Sequence, residues 1–154
     1  MTYNIYLQET TVESLLAEFS LGSDHLISST SNFGDTLPIT SISGDSSITL
    51  SNNIITLPQG YEFIFRFFVG IQRASISTYV YTKIFYSDGS LVQNATTSEI
   101  NGTGGNKSSI EETCAIIDTT SGSKEIIIKA NKSDSNTTSF LDNICYGYIL
   151  GFKK

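Results

Sequence analysis

The sequence predicts an all-β protein, an antiparallel jelly-roll sandwich of about ten short strands with a short N-terminal helix. Two observations carry the β prediction. Tyr61, Phe63, Phe65 and Phe67 place large rings at every second position, a period that lines one face of a strand and that no helix produces. From His25 onward, short apolar runs then alternate with turn residues at the spacing of an all-β domain.

The elements follow in order. Thr11 to Phe19 reads as the one helix, because Val12, Leu15, Leu16 and Phe19 share a helical face and Thr10 with Glu13 forms a capping box. Strands are expected near 25–29, 38–42, 46–50, 53–57, 60–70, 75–86, 89–98, 108–118, 124–131 and 143–152. Pro58-Gln59-Gly60 suits a tight reversal, since Pro fixes φ and Gly tolerates positive φ. Asp88-Gly89 predicts a hairpin with a type I′ turn. Ile126-Ile127-Ile128 and Tyr146 to Phe152 are apolar without alternation, which marks a central strand or a subunit interface. For the last strand the interface is expected, with Tyr146, Tyr148, Leu150 and Phe152 contributing and Gly147 and Gly151 admitting a close neighbour.

Composition narrows the function classes. A length of 154 residues suffices for one domain with a real core. Charged residues make up 16% of the chain, against about a quarter in ordinary proteins. Polarity comes instead from 23 Ser, 18 Thr and 10 Asn. The formal net charge of -6, with no Lys/Arg cluster, argues against nucleic-acid binding. No apolar run approaches the roughly 20 residues of a membrane-spanning helix, so no membrane insertion is expected. The first residues lack the basic and apolar regions of a signal peptide, so the expectation is either synthesis and use without export or an already mature sequence, and the initial Met favours the first.

No residue pattern carries enzymatic chemistry, so no catalytic residue, cofactor or metal is assigned. His25 is the only histidine, so any triad would have to be built around it. Glu111 and Glu112 are adjacent in a strand and point to opposite faces. Asp118, Asp134 and Asp142, with Asn136 and Asn143, are oxygen ligands without the frame of a calcium loop. Cys114 and Cys145 lack metal or redox spacing and read as small buried hydrophobes, with a disulfide as the alternative. Tyrosines such as Tyr79 and Tyr81 are candidates for stacking on a sugar.

Two segments resemble the complement C1q/tumour-necrosis-factor (TNF) jelly-roll family, especially C1q-like domains of bacteriophage virion proteins. Ile55-Thr-Leu-Pro-Gln-Gly-Tyr-Glu-Phe63 is similar to the family's strand, Pro-x-Gly turn and aromatic strand. Ser139-Phe-Leu-Asp-Asn-Ile-Cys-Tyr-Gly-Tyr-Ile-Leu-Gly-Phe152 is similar to its closing strand, and Tyr79 to Val92 to its paired strands around a Gly turn. The likeness covers about residues 25–152. It implies a compact homotrimer with the aromatic-rich and closing strands around the threefold axis.

The resulting expectation is a non-enzymatic virion protein of a phage, made in the host cytoplasm, that decorates the capsid or forms a fibre head. Residues 23–154 would be the jelly roll. Residues 1–22 would be an attachment segment that docks on capsid or other virion proteins through Val12, Leu15, Leu16 and Phe19. The alternative is a receptor- or carbohydrate-binding tip module of a tail fibre or bacterial surface protein, with a host-surface glycan as partner.

Overall fold

The computed structural model describes residues 13–73, 78–96, 98–100, 110–135, 137–140 and 145–154. Among these residues all regular structure is strand, arranged as two antiparallel sheets packed face to face in a jelly roll.

The first sheet is built on β7 (Tyr61–Arg73), the longest strand. On one side β7 pairs with β10 (Ile110–Asp118), and on the other with β13 (Tyr146–Lys153) and β12 (Thr138–Phe140). Beyond β13 come β1 (Ser14–Leu21) and then β4 (Ile39–Gly44), while β12 is flanked by β2 (His25–Leu26). The second sheet runs β5 (Thr49–Ser51), β6 (Ile54–Leu57), β11 (Lys124–Lys132), β8 (Val80–Tyr86) and β9 (Ser98–Ile100). A short β3 (Asp35–Thr36) also pairs with β11.

The alternating rings of β7 face inward. Phe63, Phe65 and Phe67 are fully buried and Tyr61 nearly so. Each such ring contributes up to about 3 kcal/mol of transfer free energy. Ile126 and Ile128 of β11 meet them from the second sheet side of the core. Ile127, on the opposite face, is buried as well, and β11 lies between β6 and β8, so the Ile run belongs to an interior strand.

Several expectations change. From Ser14 onward the expected helix is strand β1, and residues 11 and 12 lie outside the described residues. The alternating set Leu15, Ala17, Phe19 and Leu21 is buried, while hydrogen bonding to β13 and β4 on either side satisfies the backbone. Residues 14–21 therefore belong to the sandwich, not to a separate attachment segment. Leu15 and Phe19 are core residues that cannot dock a partner, and Val12 lies outside the described residues.

Pro58-Gln59-Gly60 does not reverse the chain within one sheet. It carries the chain from β6 in the second sheet to β7 in the first. Thr119 fastens this corner: its hydroxyl donates to the Pro58 carbonyl at 2.7 Å, and its carbonyl accepts from the Gly60 amide at 2.9 Å.

The Asp88-Gly89 reversal is present, but not as type I′, since Gly89 alone in it has positive φ (87°). The Gly89 amide donates to the Tyr86 carbonyl, and the Asp88 carboxylate caps the Ser90 amide and hydroxyl. A turn with ordinary φ followed by Gly at positive φ gives a bulged hairpin. The strand expected over 89–98 shrinks accordingly to a bridge between Phe85 and Leu91, followed by β9 from Ser98.

Cys145 is buried, Cys114 is half-buried, and neither forms a disulfide.

Candidate functional site

The outward face of the first sheet carries the principal candidate site. Side chains alternate along β13, so Gly147, Ile149 and Gly151 turn inward while Tyr146, Tyr148, Leu150 and Phe152 turn outward. The four residues expected at an interface thus share one face. The two glycines serve the core instead. A Cβ at Gly147 would strike the Phe19 ring and the Arg66 carbonyl, and one at Gly151 would strike Phe63.

Register decides what lies beside them. Leu16 of β1 is opposite Leu150 of β13, Leu150 is opposite Ile64 of β7, and Ile64 is opposite Ile116 of β10. These four aliphatic side chains form a row across four strands, about 15 Å long at the usual strand spacing. Leu16 is 54% exposed, Ile64 38% and Ile116 59%. Phe152 and Tyr146, 37% and 49% exposed, extend the band to either side. A contiguous apolar strip on an otherwise hydroxyl-rich surface marks an interaction site, because water contact with it is unfavourable.

The neighbouring row is Glu18, Tyr148, Arg66 and Cys114. The Arg66 guanidinium donates to both carboxylate oxygens of Glu112 and to the Tyr148 hydroxyl. It also lies 5.3 Å from the ring centroids of Phe68 and Tyr148. This hydrogen-bonded partner holds the Glu112 carboxyl below its ordinary value, against the opposing effect of burial. The Arg66 guanidinium is thereby paired and its donors engaged, which lowers the cost of covering it.

Ile64, Ile116 and the placement of Leu16 escaped the sequence reading. The signal in Phe63-Ile-Phe-Arg-Phe67 is that the outward position between two buried rings holds Ile rather than a polar residue. The other candidates disperse. Tyr79 and Tyr81 are half-buried, with Tyr81 on the second sheet. The Asp118 carboxylate caps the Thr120 amide and hydroxyl, and Asp134 accepts from the Thr78 hydroxyl. Asp142, Asn136 and Asn143 lie outside the described residues. Among the described residues no group of three His, Cys, Asp or Glu could hold a metal.

No protein-family model matches the chain, and no curated protein matches it in sequence. Solved structures do resemble it. Eiger TNF from S. frugiperda matches over 92% of each chain with a TM-score of 0.51 and 8% identity. A chain of the T13 IBDV viral particle matches 99% of this chain with a TM-score of 0.53 and 11% identity. The match spans 39% of that viral chain. At such identities the likeness is one of fold, a jelly roll found in both a TNF and a viral particle.

Proposed function

We propose that this chain is a non-enzymatic structural protein of a phage virion, working as a homotrimer that decorates the capsid or forms a fibre head. The observation that carries the reading is the outward row Leu16–Leu150–Ile64–Ile116, half-buried at Leu150 and exposed at the other three, with Phe152, Tyr148 and Tyr146 beside it. Burying it between copies removes apolar surface from water, and the already-neutralised Arg66–Glu112 pair can be covered with it. The resemblance to C1q/TNF-like modules supports three as the number of copies. The fold shared with a viral particle chain supports the virion setting. Capsid or other virion proteins are then its partners, and the host cytoplasm is where it is made and assembled.

Two measurements test the reading. Light scattering should return a mass near three times 16.8 kDa, and the protein should co-purify with intact particles. A monomer at micromolar concentration, or absence from particles, overturns it. The tip-module alternative is supported by a groove on the same face.

A further inference from the structure

On the β4 side of the apolar band, six outward side chains from three strands form a two-row grid. Register aligns Ser43, Glu18 and Tyr148 in one row, and Ser41, Ser20 and Tyr146 in the next. Together they line a groove of about 260 Å³.

Its aromatic wall is fixed from behind. Tyr146 stacks on Phe68 of β7, with centroids 5.0 Å apart and planes 23° apart, and the Tyr148 hydroxyl accepts from Arg66, also on β7. Both rings are therefore held from the β7 side and present their other side toward β1 and the groove. Little rotamer freedom remains to be lost when something binds against them.

The opposite wall is the exposed Ser41 and Ser43 on the edge strand, and Glu18 and Ser20 lie between the walls. The Glu18 carboxylate forms no hydrogen bond or ion pair among the described residues. Glu13, Glu62 and Glu112 pair with Lys153, Lys154 and Arg66. Asp24, Asp35, Asp45, Asp88, Asp118, Glu125 and Asp134 have partners too.

We propose that this groove binds one neutral pyranose ring of a glycan. Ring faces pack against the C–H face of a sugar, while an unengaged carboxylate accepts from neighbouring hydroxyls in charge-assisted hydrogen bonds. Serine hydroxyls both donate and accept, which suits a ligand whose every hydroxyl does the same. The volume is below the roughly 300–1,000 Å³ of pockets for drug-sized ligands, so it suits a single ring. An acidic sugar would meet the Glu18 carboxylate, on a chain whose net charge is already -6. This site goes beyond the assembly reading and does not depend on it: that reading buries the row Leu16–Leu150–Ile64–Ile116, and the Tyr148 and Tyr146 rows lie to one side of it.

The test is titration of the full chain, followed by ligand-observed NMR, with methyl glucoside, methyl galactoside and N-acetylglucosamine. Each is taken to about 10 mM, ten times a millimolar Kd. At least one should bind, and Glu18→Ala should weaken it about tenfold or more, with unchanged mass and thermal midpoint. Ser43→Ala should weaken it in the same direction. No binding by any of the three overturns the proposal, as does binding that Glu18→Ala leaves intact. Loss of assembly in Glu18→Ala without sugar binding would assign the groove to a second copy. The mass of the unmodified protein judges the assembly reading separately: a sugar-binding monomer sinks that reading alone, and a trimer that binds no sugar sinks this one alone.

Discussion

Gly147 of β13 lies against the ring of Phe19 on β1, with no space between them for a methyl group. The Arg66 carbonyl closes the same space from the β7 side. A neighbouring ring can yield by rotation, but a carbonyl held in the central strand cannot. Gly147→Ala should therefore destabilise the fold by about 1–3 kcal/mol, the usual range for overpacking. Urea denaturation would measure it, and an unchanged midpoint would show that the strand can shift to make room.

Thr82 and Thr113 join the sheets through the core. Their hydroxyl oxygens, one from β8 and one from β10, lie 2.6 Å apart and both side chains are fully buried. Thr82→Val leaves the Thr113 hydroxyl only a long contact of 3.5 Å to the residue 82 carbonyl. That change should cost about 1–3 kcal/mol, as expected for a buried polar group that loses its partner. The double Thr82→Val/Thr113→Val variant should be less destabilised than the sum of the single changes. Strict additivity in the cycle would mean that the two hydroxyls do not couple.

Asp35 organises the loop that leads into β3. Its carboxylate accepts from the Ser28 amide at 2.8 Å, the Ser28 hydroxyl at 2.6 Å and the Ser29 amide at 2.6 Å. Burial pushes this carboxyl up, but the three donors and nearby His25 together hold it below its ordinary value. The same loop keeps Asn32 and Phe33 at positive φ and sets the Phe33 ring 5.6 Å from Phe85. A carboxyl lowered on folding stabilises the loop above its unfolded pKa, and that stabilisation disappears as pH falls through the lower folded value. Exchange of the Ser28 and Ser29 amides, corrected for intrinsic rate, should therefore accelerate as pH drops below about 4. Asp35→Asn should abolish that step, and a step that persisted would locate the titration elsewhere.

Leu150 stands at the centre of the outward row, with Leu16 on one side and Ile64 on the other. Leu150→Asp places a charge there without entering the core, so the monomer should keep its fold. Light scattering should show the mass fall from near three times 16.8 kDa to near one, with the far-ultraviolet spectrum unchanged. A trimer that survives this change would place the interface on another face.

Much of the fold was legible because alternation is a local property. Tyr61 to Phe67 declares two faces within a few residues, and the structure keeps that assignment. Tyr146 to Phe152 reads as apolar without alternation, yet β13 alternates as well, because Gly147 and Gly151 take the inward positions against Phe19 and Phe63. The stretch 14–21 was not legible in the same way. Leu15, Leu16 and Phe19 satisfy a helical face, while Leu15, Ala17, Phe19 and Leu21 satisfy a strand face equally well. Pairing with β13 and β4, strands that lie elsewhere in the chain, settles that choice.

The candidate site divides in the same manner. The outward set on β13 follows from the sequence alone, because successive side chains in a strand must alternate. That Leu16, Leu150, Ile64 and Ile116 form one row is decided by tertiary structure, since it rests on the register of four strands far apart in the chain. The groove is tertiary in the same sense. Nothing in the local text around Glu18 places it between two tyrosines and two serines, and only the order β13–β1–β4 brings those side chains to one surface.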